Sequence, residues 1–380
     1  MFESIINNFD TPTYVYDINK LIDRVKYLES KLKNKELVYA VKANSFVAKE
    51  LENYVSRFEI CSYGEFNICN KLNIDHKKMV ISGVNKDYKS IDDMMNYDIG
   101  KFTIESIEQF KLLESMCKKH NKKINVLIRL TSNNQFGVTE DEVKYIINNK
   151  ENIIVDGIEY FSGTQKTSLK KINKEIDYLN EFVDNLEKEL NIEIKEIEYG
   201  PGLPIHYFMD DEFNEDEFLD EVNNIIDRLN HKKIYLEIGR SMVANCGYYL
   251  TKVVYMKTNK NGNYVIVDGG INHLVYYGQT MAMRIPHYEI YPKKEDEKLE
   301  NYNIYGSLCT INDIIVKNIN TNKLELGDVF IFKNVGAYSS TEGISLFLSR
   351  DLPSVILYKD NKAIKVRDNL KTSEINYPNY

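Results

Sequence analysis

Residues 37–44 read LVYAVKAN, an apolar run that ends on a lysine and two small residues. Leu37 to Val41 have the composition of a strand buried on both faces, and such a strand excludes an ammonium group. Lys42 therefore stands where the strand has to stop. A lysine at the carboxyl end of a buried strand is either a charge snorkelling to solvent, the commoner case, or an amine held for chemistry. The remainder of the chain decides between the two.

Outward from this stretch, strand and helix patterns alternate. TPTYVYD (11–17) alternates as a strand, and residues 17–33 place Ile18, Leu21, Ile22, Val25, Leu28 and Leu32 at helical spacing. Strands are then expected at 37–43, 58–62, 78–83, 101–105, 124–130, 154–161, 195–200 and 233–239. Helical stretches separate them, most clearly 106–120, 168–190 and 216–230. Eight β/α units over roughly 200 residues predict an α/β fold of the TIM (β/α)8 barrel type. Beyond residue 248 the pattern changes to strands and turns, which predicts a C-terminal all-β, barrel-like domain. The expected domains are 20–247 and 248–380, with the strand 11–17 joining the second because a complete eight-stranded barrel has no place for a ninth. Residues 292–300 read as a charged surface loop and those from 370 onward as a frayed tail.

The 380 residues are 43% hydrophobic and carry a net charge of -8. That acidity argues against a nucleic-acid partner, which would need a basic face. No apolar run reaches the ~18 residues needed to span a bilayer. The acidic start, MFESIINNFD, differs from a signal peptide, so a cytoplasmic protein without membrane partners is expected. Cys61, Cys69, Cys117, Cys246 and Cys309 show no paired spacing, so neither a disulfide framework nor a metal site is expected.

In a TIM barrel the active site lies at the carboxyl ends of the strands. The unusual residues fall there: Lys42 after the first strand, Glu59 and Ser62 at the second, Arg129 at the fifth, and Phe161, Gly163 and Thr164 at the sixth. Gly200 and Gly202 follow the seventh strand, and Glu237, Gly239 and Arg240 close the eighth. Small residues in the SGT and GPG loops would let backbone N–H groups approach a phosphate, and Arg240 would add charge. An amine, a carboxylate and a phosphate cradle are the three handles that pyridoxal 5'-phosphate requires. Glu237 would then face the pyridine nitrogen; the alternative is a salt bridge to Arg240.

YAVKAN, EYGPGLP, EIGR, VDGG, GSLCTINDII and GAYSS follow one another in an order and spacing that resembles the alanine-racemase-like (fold type III) pyridoxal-phosphate decarboxylases of diaminopimelate, ornithine and arginine. The resemblance covers roughly residues 11–358. It implies a homodimer with active sites at the interface, Lys42 coming from one subunit and Cys309 from the other. It implies Lys42 as the residue that holds the cofactor covalently, Glu237 as the pyridine partner, and Arg240, Gly200, Gly202 and Thr164 as phosphate ligands. Gly163 and Gly239 fall in the same loops, and Tyr338 in GAYSS matches a tyrosine that closes over the phosphate. Cys309 matches the general acid, a role a mostly protonated thiol can fill. Asp313 follows it in the same loop, and Arg129, Arg284, Thr310 and Asp313 are the candidate substrate contacts.

Two departures bear on the substrate. Where diaminopimelate and ornithine decarboxylases stack a histidine on the pyridoxal ring, this chain has Phe161. Where they place an acid after the catalytic cysteine to hold the distal amine, it has Thr310. FSGTQ (161–165) and the GINHLVYYGQ stretch (270–279) look more like the branch of antibiotic and siderophore pathways, including the butirosin-type decarboxylase of a carrier-linked glutamyl group. The expected substrate is therefore a small-molecule or carrier-tethered amino acid. Diaminopimelate decarboxylation, racemisation with Cys309 as second base, and a silent homologue that regulates a true decarboxylase are the alternatives.

Overall fold

The computed structural model describes residues 1–229, 232–294 and 298–378. Its contacts divide the chain into two units, 25–204 with 213–242, and 1–24 with 205–212 and 243–380.

The first unit is a closed barrel of eight parallel strands between which helices alternate, a TIM-type fold. With β1 assigned to Thr13–Asp17 of the other unit, its strands are β2 (Glu36–Ala40), β3 (Arg57–Ile60), β4 (Met79–Ile81) and β5 (Lys101–Ile104). They continue with β6 (Ile124–Arg129), β7 (Ile153–Phe161), β8 (Glu196–Gly200) and β9 (Lys233–Ile238). Pairing of β2 with β9, Val38 opposite Glu237, closes the cylinder. The longest helix, Leu169–Leu190, buries Ile172, Ile176, Leu179, Val183 and Leu186, spaced so that one face meets the barrel. Ser168 caps its first turn by accepting from Lys171 N–H, and Asn191 ends it in the left-handed conformation. Ser62, which the sequence places among the strand-end polar residues, caps the helix Tyr63–Lys71 by accepting from Glu65 N–H. The strand expected over 37–43 ends at Ala40, and Lys42 lies in the 3-10 turn Val41–Ala43. The helix expected over 216–230 spans Glu215–Ile226; residue 230 lies outside the described residues.

The second unit is built on a nine-stranded mixed sheet. It contains β1, β10 (Gly247–Asn259), β11 (Gly262–Val267), β12 (Tyr288–Tyr291) and β13 (Leu299–Tyr305), then β14 (Ile314–Asn322), β15 (Val329–Lys333), β16 (Ser354–Lys359) and β17 (Lys362–Arg367). The strand β1 is interior, antiparallel to β10 and parallel to β16. Val15, Leu250, Val329, Ile331 and Ile356 form a buried cluster that Ile5, from the short helix Phe2–Asn8, completes. That helix and β12, whose four residues of mixed polarity, YEIY, pair with β15, are not among the elements expected from the sequence.

Two expectations are corrected by tertiary contacts. The 20–247 boundary fails at 205–212, because Met209 N–H donates to Ile285 O and Tyr207 packs on Tyr276 at 5.7 Å, holding that loop to the sheet unit. The chain from 370 is tied down at least to 376, through the Leu352–Leu370 bridge, buried Thr372 bonded to Arg350 O, and Asn376 bonded to Leu346 O. Of the charged loop at 292–300, residues 295–297 lie outside the described residues, as do 379–380 of the tail, and Leu299 and Glu300 already belong to β13.

Candidate active site

Because β2 lies between β9 and β3, a side chain leaving its carboxyl end meets groups from both neighbours. Tyr39 OH donates to Asn44 O at 2.8 Å and Asn44 Oδ1 accepts from Phe46 N–H, which tightens the turn that carries Lys42. Lys42 Nζ then lies 2.7 Å from Glu59 Oε2, 3.2 Å from Glu237 Oε1 and 3.6 Å from Cys61 Sγ. The lysine is partly exposed, whereas both carboxyls are buried. In the sequence Glu59 stands out only as a polar strand end; an acid inside the apolar run FEIC is the signal that points to a buried partner.

The two carboxyls divide one proton. Burial by itself raises Glu59, but the Lys42 charge and hydrogen bonds from Glu237, Lys42 and Cys61 overcome that and hold it at about 2. Burial also raises Glu237, the Glu59 charge raises it further, and Lys42 and Arg129 do not fully compensate, leaving it at about 7. Two carboxylates beside one ammonium cannot both ionise cheaply, so Glu237 keeps its proton toward neutrality. Farther into the barrel, burial pushes Glu198 to about 8 against the pull of Arg57, and burial raises Glu159 against the pull of Arg129. Arg129 ion-pairs with Glu105 at 3.0 Å and with Glu159 at 3.4 Å, and its guanidinium lies 4.9 Å from the Phe136 ring centre.

The loops after β7 and β8 form the second part of the site. Gly163 has φ +142°, and a Cβ there would meet no atom within 4 Å, so the backbone faces open space. Gly202 has φ +61°, and a Cβ there would lie 2.1 Å from Gly163 O; only glycine lets the two loops touch. The Phe161 ring lies against Gly200, where a Cβ would come within 2.2 Å of it. Arg240 Nε donates to Thr164 Oγ1 at 3.2 Å, and Gly239 O accepts from Met242 N–H in the turn beside it. A lysine amine, a proton-bearing carboxyl, an aromatic ring and a side-chain-free backbone beside an arginine are the donor set that a phosphorylated pyridine aldehyde needs.

The remaining candidates lie in the sheet unit. Cys309 is exposed on the loop 306–313. Asp313 does not project from that loop: its carboxylate accepts Leu308 N–H at 2.7 Å and Ile271 N–H at 2.9 Å, and it packs against Gly270 and Gly306. The aspartate read as a substrate contact is therefore spent on fixing the turn that presents Cys309. Thr310 Oγ1 accepts from Asn312 N–H at 3.4 Å. Arg284 is likewise committed, bonding Asp210 through Nε and Nη2 and Asp211 at 2.7 Å, with its guanidinium 4.3 Å from the Phe208 ring centre. It is not a spare cation for a substrate. Tyr338 holds a left-handed backbone at φ +66°, a conformation unfavourable for a bulky residue.

The eight-stranded parallel barrel and the separate mixed-sheet unit are those of the alanine-racemase-like fold. The family model of the pyridoxal-dependent decarboxylases, described by their C-terminal sheet domain, matches residues 13–336, and the chain belongs to that family. It is a pyridoxal-phosphate-dependent carboxy-lyase. A diaminopimelate decarboxylase of Campylobacter jejuni is 27% identical across 89% of this chain and 88% of its own length. An L-glutamyl-[BtrI acyl-carrier protein] decarboxylase of Niallia circulans is 25% identical across 96% and 90%. The crystal structure of a Helicobacter pylori diaminopimelate decarboxylase complexed with L-lysine shares the fold, with a TM-score of 0.86 at 23% identity over 99% of this chain and 98% of that one. No helix among the described residues is long and apolar enough to cross a membrane.

Proposed function

We propose that the protein removes the α-carboxylate of an amino acid or amino-acyl derivative whose side chain bears no free distal ammonium, such as an acylated or carrier-tethered substrate. One observation carries this reading. The loop that presents Cys309 contains a single acid, Asp313, and both its oxygens are taken by the backbone, while the residue after the cysteine is Thr310. A distal ammonium brought to this loop would lose water without gaining a carboxylate, a cost of about 1.5–3 kcal/mol or roughly 10- to 150-fold in kcat/KM. The reading of the substrate is supported by the Niallia circulans relative, whose name specifies a carrier-bound glutamyl group. The diaminopimelate decarboxylases among the relatives favour the second reading, free diaminopimelate. Side-by-side assays of carbon dioxide release decide between them. Diaminopimelate, lysine and ornithine should react at least ~10-fold more slowly than an N-acylated or thioester-linked amino acid. Rapid turnover of free diaminopimelate would return the enzyme to the second reading.

In the proposed reaction the cofactor, when bound, supplies an electron sink for the pair left behind by carbon dioxide. Lys42 holds it in place, and Glu237, which keeps its proton toward neutrality, offers that proton to the pyridine nitrogen. Glu59 stays ionised beside Lys42 and so keeps the second carboxyl from losing its proton. Arg240, Thr164 and the backbone of Gly163, Gly200, Gly202 and Gly239 would take the phosphate, Phe161 would lie against the ring, and Tyr338 would close over the phosphate. The Cys309 thiol returns a proton to the α-carbon.

The same reading makes the enzyme a homodimer in which Lys42 of one subunit works with Cys309 of the other. Inactive Lys42→Ala and Cys309→Ala chains should then complement. At equal amounts and free exchange about half the dimers are mixed, and one of the two sites in each is intact, so roughly a quarter of all sites should recover. Mixed dimers verified by mass spectrometry but devoid of activity would show that the two residues do not serve opposite subunits.

A further inference from the structure

Lys166 follows the β7 loop and is buried, a costly place for an ammonium unless every donor is used. Its three hydrogens have four oxygens within reach: Glu175 Oε2 at 2.8 Å, Ser162 Oγ at 3.2 Å, Gly200 O at 3.2 Å and, more distantly, Tyr199 OH at 3.5 Å. Its backbone N–H donates to Gly202 O at 2.8 Å. One residue thus engages both glycine carbonyls of the GPG loop, which has only one other residue, Pro201, with no N–H to offer. Glu175, from the helix Leu169–Leu190, is held in turn by Tyr199 OH at 2.6 Å and by Ser162 Oγ. The Lys166 stem also packs under Gly202, where a Cβ would lie 2.8 Å from Cε.

An anion site made of backbone needs its carbonyls turned elsewhere, because an oxygen dipole aimed at a phosphate repels it. We propose that Lys166 is the positioning residue of the cofactor's phosphate site: by holding the carbonyls of Gly200 and Gly202 it orients the GPG loop to present N–H groups to the phosphate, and Glu175, Ser162 and Tyr199 hold Lys166 in that task. The inference rests on the placing of the phosphate beside Gly163, Thr164, Gly202 and Arg240. It goes beyond that placing because Lys166 touches no part of the cofactor and acts through the loop alone. Desolvation lowers the lysine and the Glu175 charge opposes it, so the pair forms an electrostatic unit whose members depend on one another.

The test compares two ligands of full-length apoprotein, pyridoxal phosphate and pyridoxal, which differ only in the phosphate. Lys166→Met should raise the Kd of pyridoxal phosphate by about tenfold or more and leave that of pyridoxal within about twofold. Because Lys166→Met leaves Glu175 buried without its partner, the double variant Lys166→Met/Glu175→Gln removes both charges together and carries the test if the single variant does not fold. Arg240→Ala is the control for the phosphate site. If it lowers the preference for the phosphorylated ligand while the Lys166 variants do not, the role of Lys166 is overturned and the placing of the phosphate survives. If Arg240→Ala leaves the preference unchanged, the placing itself fails and the inference falls with it. Equal losses of affinity for both ligands in the Lys166 variants would mean a general loosening of the barrel and would likewise overturn the proposal.

Discussion

Lys42→Ala should abolish turnover, with kcat falling on the order of 10^4-fold or more, because among the described residues no other amine meets both Glu59 and Glu237. The geometry underlies the size of the effect: Lys42 Nζ is the ammonium that lies within 3.2 Å of both Glu59 and Glu237. Borohydride reduction of the wild-type enzyme should leave the cofactor attached to the peptide containing Lys42, and the variant should yield no labelled peptide there. Label on Lys86 or Lys166, the other buried or half-buried lysines near this end of the barrel, would remove Lys42 from its role. A second consequence is electrostatic. Without the ammonium Glu59 loses the largest influence holding it down, so the carboxyl pair should take up protons at higher pH than in the wild type. In the wild-type apoprotein Glu59 contributes stability that is present above the ordinary carboxyl range and is lost as pH falls toward about 2. That acid-side loss should be smaller in Lys42→Ala, measured as the change in Tm between pH 5 and pH 3.

Glu237→Gln should bind the cofactor and yet lose on the order of 10^2- to 10^4-fold in kcat. Glutamine has the shape of the protonated acid but cannot transfer a proton to a ring nitrogen or balance the charge there afterwards. Near-normal turnover would exclude the proposed proton role. The stability of the apoprotein gives an independent check. Glu237 is raised in the fold to about 7, so between the ordinary carboxyl range and that value the unfolded chain ionises while the folded chain does not. Stability from this group is therefore fully present at low pH and declines as pH rises toward 7. The amide does not titrate, so Glu237→Gln should flatten this decline. A Tm profile from pH 4.5 to pH 8 that is no flatter than that of the wild type would show that Glu237 does not hold the proton.

Much of the architecture follows from local pattern. Apolar runs such as Leu37–Val41 and the helical spacing of Ile172, Ile176, Leu179 and Val183 express which faces must leave water, and burial supplies the energy that makes the pattern binding. Short or weakly patterned elements escaped that logic. The strand β12 offers four residues of mixed polarity, and the tail beyond 370 is ordered by Thr372 and Asn376, polar residues whose partners, Arg350 O and Leu346 O, lie more than twenty residues away.

The sequence by itself determined the barrel, the all-β unit, the position of Lys42 at the close of a buried strand and the kind of cofactor. These depend on residue type and on spacing within a few turns of helix or one strand. Tertiary structure alone decided the pairings: Glu59 with Glu237 around one ammonium, Asp313 with the backbone of Leu308 and Ile271, Arg284 with Asp210 and Asp211, and Lys166 with the GPG loop. A carboxylate or an ammonium carries the same chemistry wherever it stands in a sequence. Whether it is catalytic, structural or neutralised depends on which charge and which water it meets, and Glu59 and Glu237 meet across 178 positions of chain only because β2 lies between β3 and β9.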